Sequence, residues 1–493
     1  MEFRKNLQYI LFFFLIAMIL HYRLPAQDLR TVSLGGADLV LNHEENHLNF
    51  YRLNGNPALM MQYEAVNWLK INSYGNYQHG SLRRVLDPAA NRNLLFNAQG
   101  YKKLSERQAF YGQVSYDLLK NYSVKNAIDP DPYGDDPLVL MDSTTGDFNY
   151  NGPKAQVCYQ NQISSRFSLG GEITYGISQG LKDQFTRPRI IHRDFAAGIG
   201  MGYRLGRYLL IGTIINYETV QNQTEVTGKQ LEAFDPVIKR FRSESVFRVI
   251  KGGFNRYTNR DNYSFNLSIQ NGGIGREFQQ VVQLNYRYGV QKTYDNVDLN
   301  KIYDSPWFGR YYNASYQNRW IVPGGKWILG ARFSGNYLSS FSRHPDLDIM
   351  ITEREVRSGC AELGISRNFS IPRPFLLVLQ GGYGQTRDSY SDYQSKVYRK
   401  VKLTDYIARV GLDVSVDPIH NLLLGYNYGK DDVDAFSPRY LPDYYMWRFS
   451  MGISETRQKY QLQFSFEYFV KRAAYDDHEF DGWMVSFSSK ILN

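Results

Sequence analysis

From residue 66 to its end the chain alternates apolar and polar side chains with a period of two. In the segment that begins at Arg166, Phe167, Leu169, Gly171, Ile173, Tyr175 and Ile177 share one face. Ser168, Gly170, Glu172, Thr174, Gly176 and Ser178 share the other. Further on, Tyr445, Trp447, Phe449, Met451 and Ile453 alternate with Met446, Arg448, Ser450, Gly452 and Ser454. Near the end, Tyr460, Leu462, Phe464, Phe466 and Tyr468 alternate with Gln461, Gln463, Ser465 and Glu467. A strand turns successive side chains to opposite faces, so this period reads as strand after strand with one apolar face. Tyr and Trp bound those faces, the arrangement that aromatic girdles at two membrane–water interfaces require.

Composition sharpens the reading. The chain holds 40 Tyr and 29 Phe among 493 residues, yet its mean hydropathy is −0.46. A helical membrane protein needs runs of about 20 apolar residues, and beyond the first 26 residues there are none. A barrel that turns one face to lipid and the other to its lumen is rich in aromatics and polar on average. The formal charge of +9 is spread along the chain. With no basic run, zinc spacing or RNA-binding signature, nucleic acid is not an expected partner.

Residues 1–26 read as a cleavable signal peptide. Arg4 and Lys5 precede an apolar run from Tyr9 to Leu20, and Leu24-Pro25-Ala26 offers a cleavage site before Gln27. The run is shorter than the roughly 17–25 residues that span a bilayer. Export to the outer membrane is the expected destination, with outer-membrane lipid and lipopolysaccharide around the barrel and other envelope proteins as candidate partners.

Strands are expected near 66–79, 92–104, 106–118, 147–163, 166–180, 191–204, 207–220, 261–271 and 277–290. The second half adds 309–321, 326–340, 354–368, 374–388, 402–416, 420–430, 443–455, 458–472 and 480–493. Short connections at 164–165, 205–206, 323–325, 371–374, 417–420 and 455–458 alternate with long polar ones at 119–146, 221–260, 291–308, 341–353 and 386–400. Short periplasmic turns and long extracellular loops alternate in this way in bacterial barrels. The expected fold is therefore all-β, a closed antiparallel transmembrane barrel of about 18 strands, with 14 or 16 as alternatives. The apolar stretch within 243–256 is left in a long extracellular loop, because a nineteenth strand breaks the parity. Cys158 and Cys360 fall in strands far apart in sequence, and no disulfide is expected between them.

Residues 27–65 do not alternate, and are read as a pre-barrel, plug-like segment ahead of the barrel proper at 66–493. Pro57 cannot donate to a ladder, so this is irregular chain or short helix. Gly35-Gly36-Ala37 followed by Asn56-Pro57-Ala58 just before the first strand resembles the FadL and PorV superfamily of outer-membrane barrels. The whole chain resembles an uncharacterised Bacteroidota-type family of large outer-membrane barrels. The resemblance implies a pre-barrel motif at Asn56, Pro57 and Ala58; it does not carry over a fatty-acid substrate.

Chemistry-bearing motifs are few. His43-Glu44-Glu45-Asn46-His47 matches HExxH, which on a helix sets two imidazoles on one face for zinc, and Glu64 could be a third ligand. No metalloprotease sequence surrounds it, so it reads as a chance match or a weak divalent-ion site, and no metal or other cofactor is expected. His192 shares a strand face with Asp194 but has no serine signature beside it. His420 lies in the short turn Asp417-Pro418-Ile419-His420, and His79, His344 and His478 at outer strand ends or loops. No enzymatic activity is expected.

The inward faces are more informative. They collect Asp117, Glu172, Asp194, Glu218, Arg287, Arg332, Glu362, Asp405, Arg409, Asp413, Arg448 and Glu467. Charges at membrane depth face water or each other. Glu172, Asp194, Arg287, Arg332, Glu362, Arg409, Asp413, Arg448 and Glu467 are the candidate lumen-lining residues, either tuning a wet passage or holding a plug. Gly170, Gly200, Gly202, Gly382, Gly425 and Gly452 on the same faces leave room for either. The expected function is a channel or transporter for a small solute or hydrophobic ligand. The alternative is a non-conducting structural or docking subunit of an outer-membrane complex.

Overall fold

The computed structural model describes Leu34 and residues 36–39, 55–62, 66–128, 132–133, 138–184, 187–206, 208–226, 237–241, 247–250, 253–271, 277–297, 300–370, 373–435, 439–457 and 459–492. The expected signal peptide, the His43–His47 motif and Glu64 lie outside these residues.

In the first half of the chain the alternating segments form β1 (Trp68–Gly80), β2 (Ala90–Ser105), β3 (Gln108–Ala127), β4 (Leu138–Gln162), β5 (Phe167–Lys182), β6 (Arg189–Leu205) and β7 (Leu209–Val226). Two short strands, β8 (Val237–Phe241) and β9 (Phe247–Ile250), precede β10 (Phe254–Asn271) and β11 (Phe278–Val297). After the short β12 (Asn300–Tyr303) come β13 (Trp307–Ile321), β14 (Trp327–Arg343), β15 (Met350–Phe369), β16 (Phe375–Asp392) and β17 (Val397–Ser415). The last four are β18 (His420–Val433), β19 (Tyr444–Thr456), β20 (Tyr460–Ala473) and β21 (Glu479–Leu492).

All the barrel pairings are antiparallel, and β21 returns to β1 from Trp68↔Leu492 to Gly80↔Phe480. Setting aside β8, β9 and β12, which belong to loops, leaves 21 − 3 = 18 barrel strands. Closure follows from the surroundings: in lipid every backbone N–H and C=O needs a partner, and only a sheet with no free edge supplies them all. β1 and β2 lie side by side and are bridged partly by side chains. Gly80 N–H donates to Ala89 O at 3.2 Å. Asn76 Oδ1 accepts from Asn93 N–H at 3.1 Å, and Asn67 Oδ1 from Lys103 N–H at 2.7 Å.

The two faces differ as alternation requires. Outward positions include Ile173, Ile199, Ile215, Leu363 and Phe449, all well exposed, and Ile199 is 72% exposed. Exposed apolar surface on this scale belongs in hydrocarbon, not water. On the other face Gln160, Ser168, Asn262, Glu362, Gln380 and Glu467 are buried. On β20, Gln463, Ser465 and Glu467 are buried while Tyr468 is exposed, so register follows the expected faces. Aromatic rings meet across neighbouring strands on the outside, with Tyr286–Tyr312 centroids 5.0 Å apart, Tyr312–Tyr337 6.0 Å and Tyr383–Tyr406 5.4 Å.

One end of the barrel carries both termini of the sheet and only short connections, at 106–107, 163–166, 206–208, 272–277, 322–326, 370–374, 416–419 and 457–459. In the turn before β18, Asp417 Oδ1 accepts from Ile419 N–H and His420 N–H, both at 2.8 Å. Hydrogen bonding from the His420 ring, helped by these two N–H groups, holds the Asp417 carboxyl down at about 2.

The other end corrects the expected loops. Much of 119–146, 221–260, 291–308, 341–353 and 386–400 continues as paired strand, and β16 and β17 are joined by only the four residues 393–396. Above the membrane both faces are wet, so hydropathy no longer alternates although the ladder goes on. The stretch 243–256 is divided: β9 pairs with β8 as a loop hairpin, whereas Phe254 already opens barrel strand β10. That hairpin is fastened to the barrel, because β8 pairs with the outer end of β4 from Leu138↔Phe241 to Met141↔Ile238. Beneath it Val124, Ala127, Ile128, Leu140, Phe148, Ile190, Val226 and Phe254 form a buried apolar cluster. Lys182 and Asp142, both with fully buried side chains, form an ion pair at 2.7 Å. Cys158 on β4 and Cys360 on β15 are free thiols.

Candidate functional site

Ahead of β1, Pro57–Gln62 forms a short 3-10 helix against the inner face of the barrel. Asn56 starts it, its Oδ1 accepting from Ala58 N–H at 3.0 Å, the local turn that Asn side chains favour. The other end of the same amide fixes the turn to the wall. Asn56 Nδ2 donates to Met201 O at 3.2 Å and Thr213 O at 3.1 Å, on β6 and β7. Ala58 O accepts from Gln160 Nε2 at 2.6 Å and Ser168 Oγ at 2.7 Å, and Met61 N–H donates to Gln160 Oε1 at 2.7 Å. The backbone lies so close that side chains beneath it are excluded. A β-carbon at Gly170 or Gly202 would sit 2.5 Å from Ala58 N or Leu59 Cδ2, and one at Gly200 would run into Asn56 Oδ1. These three glycines form the floor of the docking site.

A second contact lies elsewhere on the ring. Leu34, Ala37 and Leu39 pack with Ile328, Leu376, Val378 and Leu423, on β14, β16 and β18 near the short-turn end. Leu39 N–H donates to Gln380 Oε1 at 3.3 Å. Arg332 Nη2 donates to Asp38 Oδ2 at 2.8 Å, and its Nη1 to Glu362 Oε2 at 2.9 Å. Arg409 Nη1 donates to Glu362 Oε1 at 3.1 Å. Arg332, Glu362, Gln380 and Arg409 come from four consecutive strands, β14 to β17. Going around the ring, β5 and β16 are eight strands apart one way and ten the other. The two contacts therefore grip nearly opposite walls.

The other candidates are spread over the same inward face. Glu172 accepts from Gln156 Nε2 at 3.3 Å, with Cys158 Sγ 3.9 Å away. Asp194 pairs with Lys154 at 2.5 Å, and Glu218 accepts from Asn262 Nδ2 at 2.9 Å. Arg287 lies over the Tyr311 ring at 5.4 Å, and Arg448 pairs with Glu467 at 3.4 Å. Asp117 lies on β3, the Asp405 carboxylate beside Gly384, and Asp413 is buried on β17. Most of these charges meet local partners on the wall, and among the described residues Arg332–Glu362–Arg409 is the charged group that reaches the pre-barrel segment. His192 meets Asn222 Oδ1 through Nδ1 at 2.6 Å. Among the described residues no cluster of three or more His, Cys, Asp or Glu is placed to hold a metal.

Sequence reasoning missed Asp38, Gln160, Ser168 and Gln380. Asp38 sits in chain without periodicity, where Gly35-Gly36-Ala37 was the one local signal. The other three are uncharged inward residues, indistinguishable by type from many others.

A closed sheet with an apolar outside and a polar, charge-paired inside defines a transmembrane β-barrel. Residues 57–342 match the family described as a family of unknown function, DUF6850, and the chain belongs to that family. No curated protein sequence matches it. Solved structures similar to it include the copper transporter OprC, at 10% identity over 86% of this chain and 82% of that one, with a TM-score of 0.43. BauA, the ferric preacinetobactin receptor from Acinetobacter baumannii, is 8% identical over 86% and 80%, with a TM-score of 0.41. The Pseudomonas putida toluene transporter TodX is 10% identical over 96% and 99%, with a TM-score of 0.33.

Proposed function

We propose that the chain is exported with residues 1–26 as a cleavable signal peptide and resides in the outer membrane. There it serves as a channel or transporter for a small solute or hydrophobic ligand, with residues 27–65 as a plug-like segment. The short-turn end faces the periplasm and the long-loop end the outside, as in bacterial barrels. One observation carries the reading: the pre-barrel segment is fastened at two nearly opposite places inside a polar lumen, at Asn56–Leu59 and at Asp38. Glu172, Asp194, Arg287, Arg332, Glu362, Arg409, Asp413, Arg448 and Glu467 are the residues that would line the passage. Lys154 and Arg448, 55% and 34% exposed on side-chain area, support water within it.

The test is conductance in planar bilayers of the purified protein and of the double variant Asp38→Asn/Gly200→Val, which loosens both fastenings. Low conductance in the native barrel and a severalfold rise in the variant are expected. No conductance in either, with co-purification of envelope proteins, would sink the reading and favour the docking subunit.

A further inference from the structure

On the outer surface of β15, β16 and β17, Arg357, Arg387 and Lys402 stand directly opposite one another across the ladder. All three are exposed. Like charges placed side by side on a sheet repel, and little on the protein offsets them. Arg357 pairs with Glu355 at 2.5 Å and lies 5.6 Å from the Tyr337 ring. Among the described residues, the Arg387 and Lys402 side chains have neither an ion pair nor a hydrogen bond. The neighbouring Asp388 is turned inward to Arg354 at 2.9 Å, and Asp434 accepts from the Lys402 backbone N–H at 2.6 Å. Lys400, two residues along on the same face, is exposed as well.

The height of this row says what can reach it. Two ladder positions nearer the membrane lie Gly359, Gln385 and Thr404, and two further lie Ala361, Tyr383 and Tyr406. Leu363, Leu379 and Val410 follow on the same outward faces, all well exposed. Four residues of strand separate the tyrosines from the cations, on the order of 13 Å at the usual rise. An aromatic belt marks the edge of the hydrocarbon, so the cations stand at the level of lipid headgroups and face outward. A soluble anion has no preference for that place; a lipid held there by its chains does.

We infer that Arg357, Arg387 and Lys402 form a binding site for the phosphates of lipopolysaccharide, in its lipid A headgroup. Three cations across three strands span on the order of 10 Å, a width that suits a disaccharide bearing more than one phosphate better than a single phosphodiester. The inference rests on the orientation and residence proposed above.

The test is native mass spectrometry of the full-length barrel in detergent, titrated separately with bisphosphorylated lipid A, its dephosphorylated form and phosphatidylglycerol. Retention of bisphosphorylated lipid A is expected, weakened about tenfold in Arg387→Ser/Lys402→Ser and in the dephosphorylated lipid. Arg189→Ser, at an exposed outward arginine on β6, should leave it unchanged. Unaltered retention in the double variant, or equal retention of phosphatidylglycerol, would overturn the site. Heat-modifiable migration on gels verifies folding, and the single variants Arg387→Gln and Lys402→Gln serve if the double variant fails to fold. Detergent binding does not depend on where the protein lives, so fractionation of cells tests residence separately. A barrel that binds the phosphorylated lipid but fractionates elsewhere keeps the site and loses the residence.

Discussion

Asp38 accepts a hydrogen bond from Arg332 at 2.8 Å, across 294 residues of chain. Arg332 also holds Glu362, which Arg409 holds from the other side, so one carboxylate is shared by two guanidinium groups. The side chains differ in how far they are withdrawn from water: Glu362 is 7% exposed, Arg332 28% and Asp38 39%. An ion pair is weak where water screens it, and its loss is costly where a buried partner is left behind.

Arg332→Met should therefore destabilise the barrel more than Asp38→Asn. The first leaves buried Glu362 short of a donor and should cost about 1–3 kcal/mol. The second keeps an oxygen acceptor, removes only a half-exposed charge and should cost less than about 1 kcal/mol. Urea unfolding followed by tryptophan fluorescence measures both, and equal losses would show that the burial ranking is wrong.

Gly200→Val should leave the barrel intact and undock the pre-barrel segment. Valine suits a strand, but any β-carbon here meets the Asn56 amide. Hydrogen exchange read by mass spectrometry should show at least tenfold faster exchange over 55–62, with β6 unchanged. Unchanged protection at 55–62 would mean that Asn56 does not dock on this floor.

The Lys182–Asp142 pair is fully buried, so its members should be far more sensitive singly than together. Lys182→Met alone should cost about 3–5 kcal/mol, whereas Lys182→Met/Asp142→Leu should recover most of it. Protease cleavage in the long-loop end near 142–147 reports the local loss. A double variant as sensitive as the single one would show that the loss does not come from leaving the Asp142 charge unpaired.

On β20, Phe464→Arg places a charge on the lipid side, at about 2–4 kcal/mol near the midplane, and should impair assembly. Gln463→Arg turns inward and should be tolerated. Heat-modifiable gel migration distinguishes the two, and equal folding would count against a lipid-facing stripe at Phe464.

Strand number, faces and short turns were legible because lipid imposes them. A slip of one residue in β20 would put Glu467 in hydrocarbon and Phe466 in the lumen, and such an error is visible in the sequence. The outer ends were not legible. From Ser389 to Asp392 and from Val397 to Lys400 the chain is paired strand, but with water on both faces no pattern marks it. The site was legible only in part. Asn56-Pro57-Ala58 stood out through its resemblance to a pre-barrel motif and because proline cannot join a ladder, and Arg332, Glu362 and Arg409 because charge is rare at that depth. Asp38 has neither property, and its role comes from where the fold brings it.

The position of Asp38 also bears on the order in which the molecule can be completed. Its partners Arg332 and Gln380 lie on β14 and β16, whereas Asn56 finds Met201 and Thr213 on β6 and β7. The front of the chain leaves the ribosome first, yet one of its two fastenings does not exist until the last third has been inserted. An assembly intermediate that stops after β13 can seat Asn56 but has nothing to offer Asp38. Attachment of both Asn56 and Asp38 is thus a chemical signature of a finished barrel.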